Sequence, residues 1–78
     1  MATLEITTTV DAKGLSCPMP IVKTAQAIKP LPSGALIEIL ATDPGSVKDF
    51  AAWSRSTGNE LVEQSAGDGV FRFVIRRK

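Results

Sequence analysis

The chain has 78 residues, of which 44% are hydrophobic and 22% charged, with a net charge of +1. That balance describes one small globular domain over residues 1–78, whose core removes only about 60% of the unfolded surface from water. Near-neutrality argues against a general nucleic-acid binder, and the absence of histidine removes Cys-His and Ser-His nucleophile pairs; one cysteine without histidine leaves no thiolate-imidazole zinc site, so no metal is expected.

Leu4, Ile6, Thr8 and Val10 alternate with Glu5, Thr7 and Thr9, a period of two that predicts a first strand with one buried face. Lys13-Gly14 breaks the pattern. Ile21, Val22, Ala25 and Ile28 then recur at helical spacing and predict a buried face on a first helix, closed by Pro30, Pro32 and Gly34. The nearly continuous apolar run 35–41 suits a central strand. Asp43-Pro44 reads as the N-cap and first position of a second helix, with Val47, Phe50, Ala51 and Ser54 on one face and Trp53 beside it. Gly58 stands where a left-handed helix end is wanted. Segments 60–65 and 70–76 read as two strands, joined at Gly67-Asp68-Gly69 by a tight hairpin.

The order is β-α-β-α-β-β. A right-handed crossover makes the first two strands parallel, and the hairpin makes the last two antiparallel. The expected fold class is α+β: a two-layer sandwich with both helices on one face of a mixed four-stranded sheet. No apolar run approaches the roughly 20 residues that span a bilayer. The first residues have no basic or apolar leader pattern, and a single cysteine forms no internal disulfide. A cytoplasmic protein with no membrane association is expected.

The only thiol stands in Gly14-Leu15-Ser16-Cys17-Pro18-Met19-Pro20. Pro18 suits the first position of a helix, which makes Cys17 the N-cap and puts its sulfur at the positive end of the dipole. Cysteines so placed have pKa values depressed from about 8.5 to roughly 3.5–7.5 in the stronger cases. Pro18 and Pro20 lack N–H groups, leaving Met19 and Ile21 as donors, and Gly14 permits a tight turn before the thiol. Lys13 and Lys23 are near in sequence and would favour an anionic sulfur. Against this, a free cysteine often serves as a small buried hydrophobe. A cap position at a loop-helix junction is a poor place to bury one.

The stretch Asp11-Ala12-Lys13-Gly14-Leu15-Ser16-Cys17-Pro18-Met19-Pro20 resembles the Asp-x-x-Gly-Leu-x-Cys-Pro-x-Pro signature of the small sulfur-carrier family that includes TusA, SirA and YedF. The spacing to Gly34, Asp43, Asp49, Trp53, "GNELV" and "FRFVIRRK" is similar too, so the likeness covers nearly the whole chain. It implies a sandwich like the C-terminal domain of translation initiation factor three. It also implies that Cys17 accepts sulfane sulfur from a donor protein such as a cysteine desulfurase or rhodanese. Cys17 would carry it as a persulfide and pass it to an acceptor protein. The sulfur then rides covalently and no separate cofactor is implied. Members of the family serve tRNA thiolation, molybdenum-cofactor supply, sulfur oxidation and selenium metabolism, and the motif does not choose among them. The lack of a second thiol fits, because a resolving cysteine would expel the sulfur as sulfide.

Asp11, Gly14, Leu15, Pro18 and Pro20 are the motif's supporting positions. Asp11 reads first as an Asx-type turn at the strand exit, and only second as a group tuning the thiol. Met19, between the prolines, is the candidate apolar contact for a partner, with Lys13 and Lys23 as basic neighbours. Trp53 reads as core packing before it reads as an interface anchor. Arg72, Arg76, Arg77 and Lys78 read as a solvated strand face and a frayed tail. No histidine or second thiol offers a general base or resolving group, so a monomer that depends on donor and acceptor proteins is expected. The alternative is a non-catalytic regulatory or nucleic-acid-binding module of the same fold with a redox-sensing or structural cysteine.

Overall fold

The computed structural model describes residues 5–78. The elements are β1 (Ile6–Ala12), α1 (Met19–Ile28), β2 (Leu36–Ala41), α2 (Ser46–Thr57), β3 (Glu60–Gly67) and β4 (Val70–Arg76). They form one 4-stranded sheet in the order β1-β2-β4-β3. β1 and β2 are parallel, and β4 runs antiparallel to both β2 and β3. α1 packs on β1 and β2, α2 packs on β3 and β4, and the helices touch each other. The expected α+β sandwich is therefore the observed one. Leu4, assigned to the first strand from its alternation, lies outside the described residues.

The core lies between helices and sheet. Val10 and Ala12 enter it from β1, Ile37, Ile39 and Ala41 from β2, and Phe73 and Ile75 from β4. Phe50 of α2 meets Phe73 with ring centroids 4.7 Å apart, and Trp53 stands edge-on to Phe50 at 6.3 Å. Trp53 is thus partly buried packing, as its helical spacing indicates. On the open face of the sheet a polar chain crosses all four strands. The Thr9 hydroxyl donates to Glu38 at 3.0 Å, Arg72 Nε donates to Glu38 at 2.5 Å, and Arg72 Nη1 donates to Glu63 at 2.6 Å. Arg76 pairs with Glu60. Arg72 and Arg76 are the solvated strand face that their alternation predicts.

Four local expectations are corrected. The buried face of α1 runs through Pro20, Thr24 and Ile28, while Val22 is exposed. Thr24 can be buried because its hydroxyl donates to the Pro20 carbonyl at 2.8 Å. A search for apolar residues passes over such a position. α1 starts at Met19 with Pro18 as its N-cap, so Pro18 is not the first helical residue and Cys17 is not the cap. α2 starts at Ser46 with Gly45 as its N-cap, so Asp43 and Pro44 precede the helix, although the Asp43 side chain still accepts the Gly45 N–H. Lastly, Arg77 and Lys78 are tied down rather than frayed. Arg77 Nε donates to the Ile28 carbonyl at 3.0 Å, closing the end of α1, and the Lys78 N–H donates to Asn59 Oδ1 at 2.8 Å.

The turns follow the residue types. Gly58 ends α2 in the left-handed region, its N–H donating to the Ser54 carbonyl at 3.0 Å. Asp68 and Gly69 have φ of 52° and 77°, the two positive values of a two-residue hairpin turn.

Candidate functional site

Cys17 lies where β1 and β2 both end and both helices begin. Sites in sheets with parallel strands gather at the carboxyl ends of those strands, because the crossover loops leave the sheet there. The loop is built residue by residue. The Asp11 carboxylate accepts the Lys13 N–H at 3.1 Å, the Asx turn expected at the strand exit. Gly14 has φ of 81°, which lets the Leu15 N–H reach back to the Ala12 carbonyl at 3.2 Å. Leu15 then packs against the core. A second turn spans Ser16 to Met19, closed by the Met19 N–H on the Ser16 carbonyl at 2.9 Å, with the Cys17–Pro18 peptide cis. Pro20 is fully buried. Leu15 and Pro20 thus anchor the loop on either side, and Cys17 is exposed between them.

The loop after β2 holds this arrangement. The Gly14 N–H donates to Thr42 Oγ1 at 2.9 Å, and the Cys17 N–H donates to Asp43 Oδ2 at 2.9 Å. Asp43 Oδ1 accepts the Gly45 N–H at 3.2 Å. The Asp43 carbonyl accepts both the N–H and the hydroxyl of Ser46. The Asp-Pro pair that reads as a helix cap is therefore a strut for the thiol loop.

The electrostatics correct the expectation of an acidified thiol. The Cys17 thiol is held above the ordinary cysteine value. Its hydrogen bond to the Asp49 carboxylate is the largest cause, followed by desolvation and the charges of Asp49 and Asp43. The donors counted on are fewer too, since Met19 gives its N–H to Ser16. Neither Lys13 nor Lys23 is among the causes of that shift; Lys23 Nζ donates to the Asp11 carbonyl at 3.4 Å. Asp49, the first-named of these causes, lies in the first turn of α2. It and Asp43 figured in the sequence only as spacing marks. Nothing local in the sequence shows that the second loop folds onto the first.

Met19 is 44% exposed beside the thiol, the apolar surface position expected of it. A depression of about 380 Å³ between β1 and α1 is lined by Thr9, Val10, Asp11, Lys23, Gln26 and Ala27, and does not include Cys17. The thiol therefore stands on an open tip, accessible to a macromolecule. Among the described residues no cluster of His, Cys, Asp and Glu is arranged to hold a metal ion. Likewise, no helix among them is long and apolar enough to cross a membrane.

Comparison with known proteins agrees with this architecture. The sequence model of the family described as Sulfurtransferase TusA matches residues 8–77. A putative sulfur carrier protein of Halobacterium salinarum is 49% identical over 77 residues, covering 97% of this chain and 95% of that one. The sulfur carrier protein TusA of Allochromatium vinosum is 46% identical over 68 residues, covering 87% and 90%. The crystal structure of a SirA-like protein from Desulfitobacterium hafniense superposes with a TM-score of 0.79 at 25% identity, over 88% of this chain and 95% of that one.

Proposed function

The chain belongs to the TusA sulfurtransferase family, and from that premise we propose that it is a sulfur carrier in which Cys17 holds sulfane sulfur as a persulfide and relays it between proteins. In the first step the Cys17 sulfur attacks the outer sulfur of a donor persulfide. The donor S–S bond breaks, a Cys17 S–S bond forms, and the donor leaves as a thiol. In the second step an acceptor thiol attacks the outer sulfur of the Cys17 persulfide and Cys17 returns as a thiol. The proton given up by the attacking thiol is balanced by the one the leaving thiolate takes, and no external oxidant or reductant is needed.

The observation that carries this reading is the placement of the sole thiol, exposed on a tip between the partly buried Leu15 and the fully buried Pro20. An enclosed pocket would suit a small substrate, whereas an open tip suits a sulfur presented by another protein. Met19 is the apolar contact proposed for docking, with the rigid first turn of α1 as its platform. The sulfur is the whole cargo and needs no cofactor.

The test is the mass of the intact chain after incubation with a sulfane donor. A gain of one sulfur atom on Cys17, reversed by a thiol reductant, is expected. No gain in the wild-type chain overturns the reading.

A further inference from the structure

β1 is an end strand of the sheet: β2 lies on one side of it and, among the described residues, no strand on the other. An edge of this kind leaves a row of backbone N–H and C=O groups open to pairing, and proteins blunt it with lysine, proline or a bulge. β3, at the other edge, is blunted: its register breaks between Leu61 and Glu63, and Glu60 and Glu63 are held in ion pairs by Arg76 and Arg72. β1 is open by comparison. Its sequence has no lysine or proline, and its pairing is regular from Thr8 to Ala12, the irregularity lying between Ile6 and Thr8. The flank of this edge is unfilled as well, since a depression of about 380 Å³ separates Thr9 and Val10 from Gln26 and Ala27 of α1.

We propose that this edge is the interface for a second copy of the chain, the two β1 strands pairing antiparallel about a twofold axis at Thr9 and joining two 4-stranded sheets edge to edge. The sequence around β1 is complementary to itself in this register. On the open face, Thr9 meets Thr9 of the second copy, Thr7 meets its Asp11, and Glu5 meets its Lys13. On the helix face, Thr8 meets Val10 of the second copy and Ile6 meets its Ala12. Polar groups thus oppose polar groups, β-branched and apolar groups oppose each other, and the charged ends carry opposite signs. Glu5 and Lys13 are exposed, and neither belongs to an ion pair among the described residues. Residues that oppose one another in this register share the same phase of the ladder, so outward backbone groups meet outward backbone groups. A twofold contact uses the same surface on both copies, so assembly stops at two. Because the β1 strands run in opposite directions, the two Cys17 tips stand at opposite ends of the shared edge, both exposed. The chain expected from its sequence to be a monomer is then one half of a carrier with two separate thiols.

The test is the mass in solution by light scattering, from micromolar concentration to about 1 mM, where weak specific pairs associate. Reducing buffer excludes a disulfide between Cys17 thiols as the link. The mass is expected to rise with concentration to twice that of one chain. Thr9→Lys sets two lysines face to face on the axis and is expected to weaken dimerisation on the order of tenfold. Thr9 is exposed, so this variant keeps its fold, which circular dichroism checks. The charged ends give an independent readout. Glu5→Lys and Lys13→Glu each place like charges at both ends of the interface and weaken dimerisation, and the double variant with both changes restores it. A wild-type chain that keeps the mass of one copy throughout the range overturns the proposal. So does a dimer that Thr9→Lys leaves intact, which assigns the contact to another surface, and so does a double variant as weak as the single ones. A monomer whose β1 amides gain protection from hydrogen exchange only when a sulfur-donor protein is added overturns the second copy as occupant and gives the edge to that protein. None of these readouts depends on sulfur loading, so their failure and the failure of the carrier reading are distinguishable.

Discussion

At the thiol end of the sheet, two loops are joined by exposed bonds from backbone N–H groups to the side chains of Thr42 and Asp43. At the opposite end, where α1 and α2 finish, the chain is tied more densely. Arg77 donates to the carbonyls of Ile28 and Lys29, and its backbone pairs with Gly34 and Ala35. Ser33 and Asn59 hold Lys78. The charges differ as well: carboxylates gather at the start of α2, and a guanidinium closes the end of α1. Both placements complement the helix dipoles. The difference separates two tasks. The far end holds the sandwich together, while the near end exposes a thiol. It also explains why helix position alone misjudges Cys17: Asp49 and Asp43 push the thiol's pKa up, against the direction expected from a helix start.

The largest effect expected is from Cys17→Ser. Sulfur loading is abolished, while the thermal unfolding midpoint moves little, because the side chain is exposed and packs against nothing in the core. Gross unfolding of this variant would break the comparison, since the tip would then be holding the fold.

Met19→Glu places a charge on the docking surface beside the sulfur. Protein-to-protein transfer is expected to slow on the order of tenfold, with loading from a small polysulfide much less affected. Equal loss in both assays would show that Met19 acts on the thiol rather than on the partner.

Arg77→Ala tests the far end. Loss of the guanidinium bonds to the carbonyls at the end of α1 is expected to cost about 1–2 kcal/mol in urea unfolding. Sulfur loading per folded molecule stays unchanged. A change in loading rate would mean that α1 transmits strain between the two ends.

The smallest effect lies between the ends, on the open face of the sheet. The Arg72 guanidinium, and secondarily the Thr9 hydroxyl, hold the Glu38 carboxyl below its ordinary value against the opposing pull of desolvation. The folded value is thus lower than the unfolded one. This stabilisation is present above the ordinary glutamate value of about 4.3 and is lost as pH falls through the folded value. Glu38→Gln is therefore expected to cost at most about 1 kcal/mol at neutral pH, because the pair is partly exposed. Its difference from wild type should close in acid. A gap that persists there would assign the loss to packing instead of charge.

Residue patterns were enough for the element order, the parallel and antiparallel pairings, the hairpin, the Gly58 helix end and the Asx turn at Asp11. Each is a local matter of periodicity, dihedral preference or neighbouring side chains. The start of α2 was misread for the opposite reason. Asp43 looks like a cap within its own segment; one carboxylate oxygen does accept the Gly45 N–H there, while the other is taken by a backbone group 26 residues distant.

What the sequence alone determined is a fold with one thiol at a loop-helix junction, since alternation and helical spacing act over a few residues. Only the tertiary structure decided which charged groups surround that thiol. The crossover sets the loops after two parallel strands side by side, and this joins Asp43 to the Cys17 backbone and lets Asp43 and Asp49 raise the pKa of a thiol far from them in the chain. Coulombic and hydrogen-bond effects depend on distance through space, so the groups that shift the thiol are Asp49 and Asp43 and not the lysines closer to it in sequence.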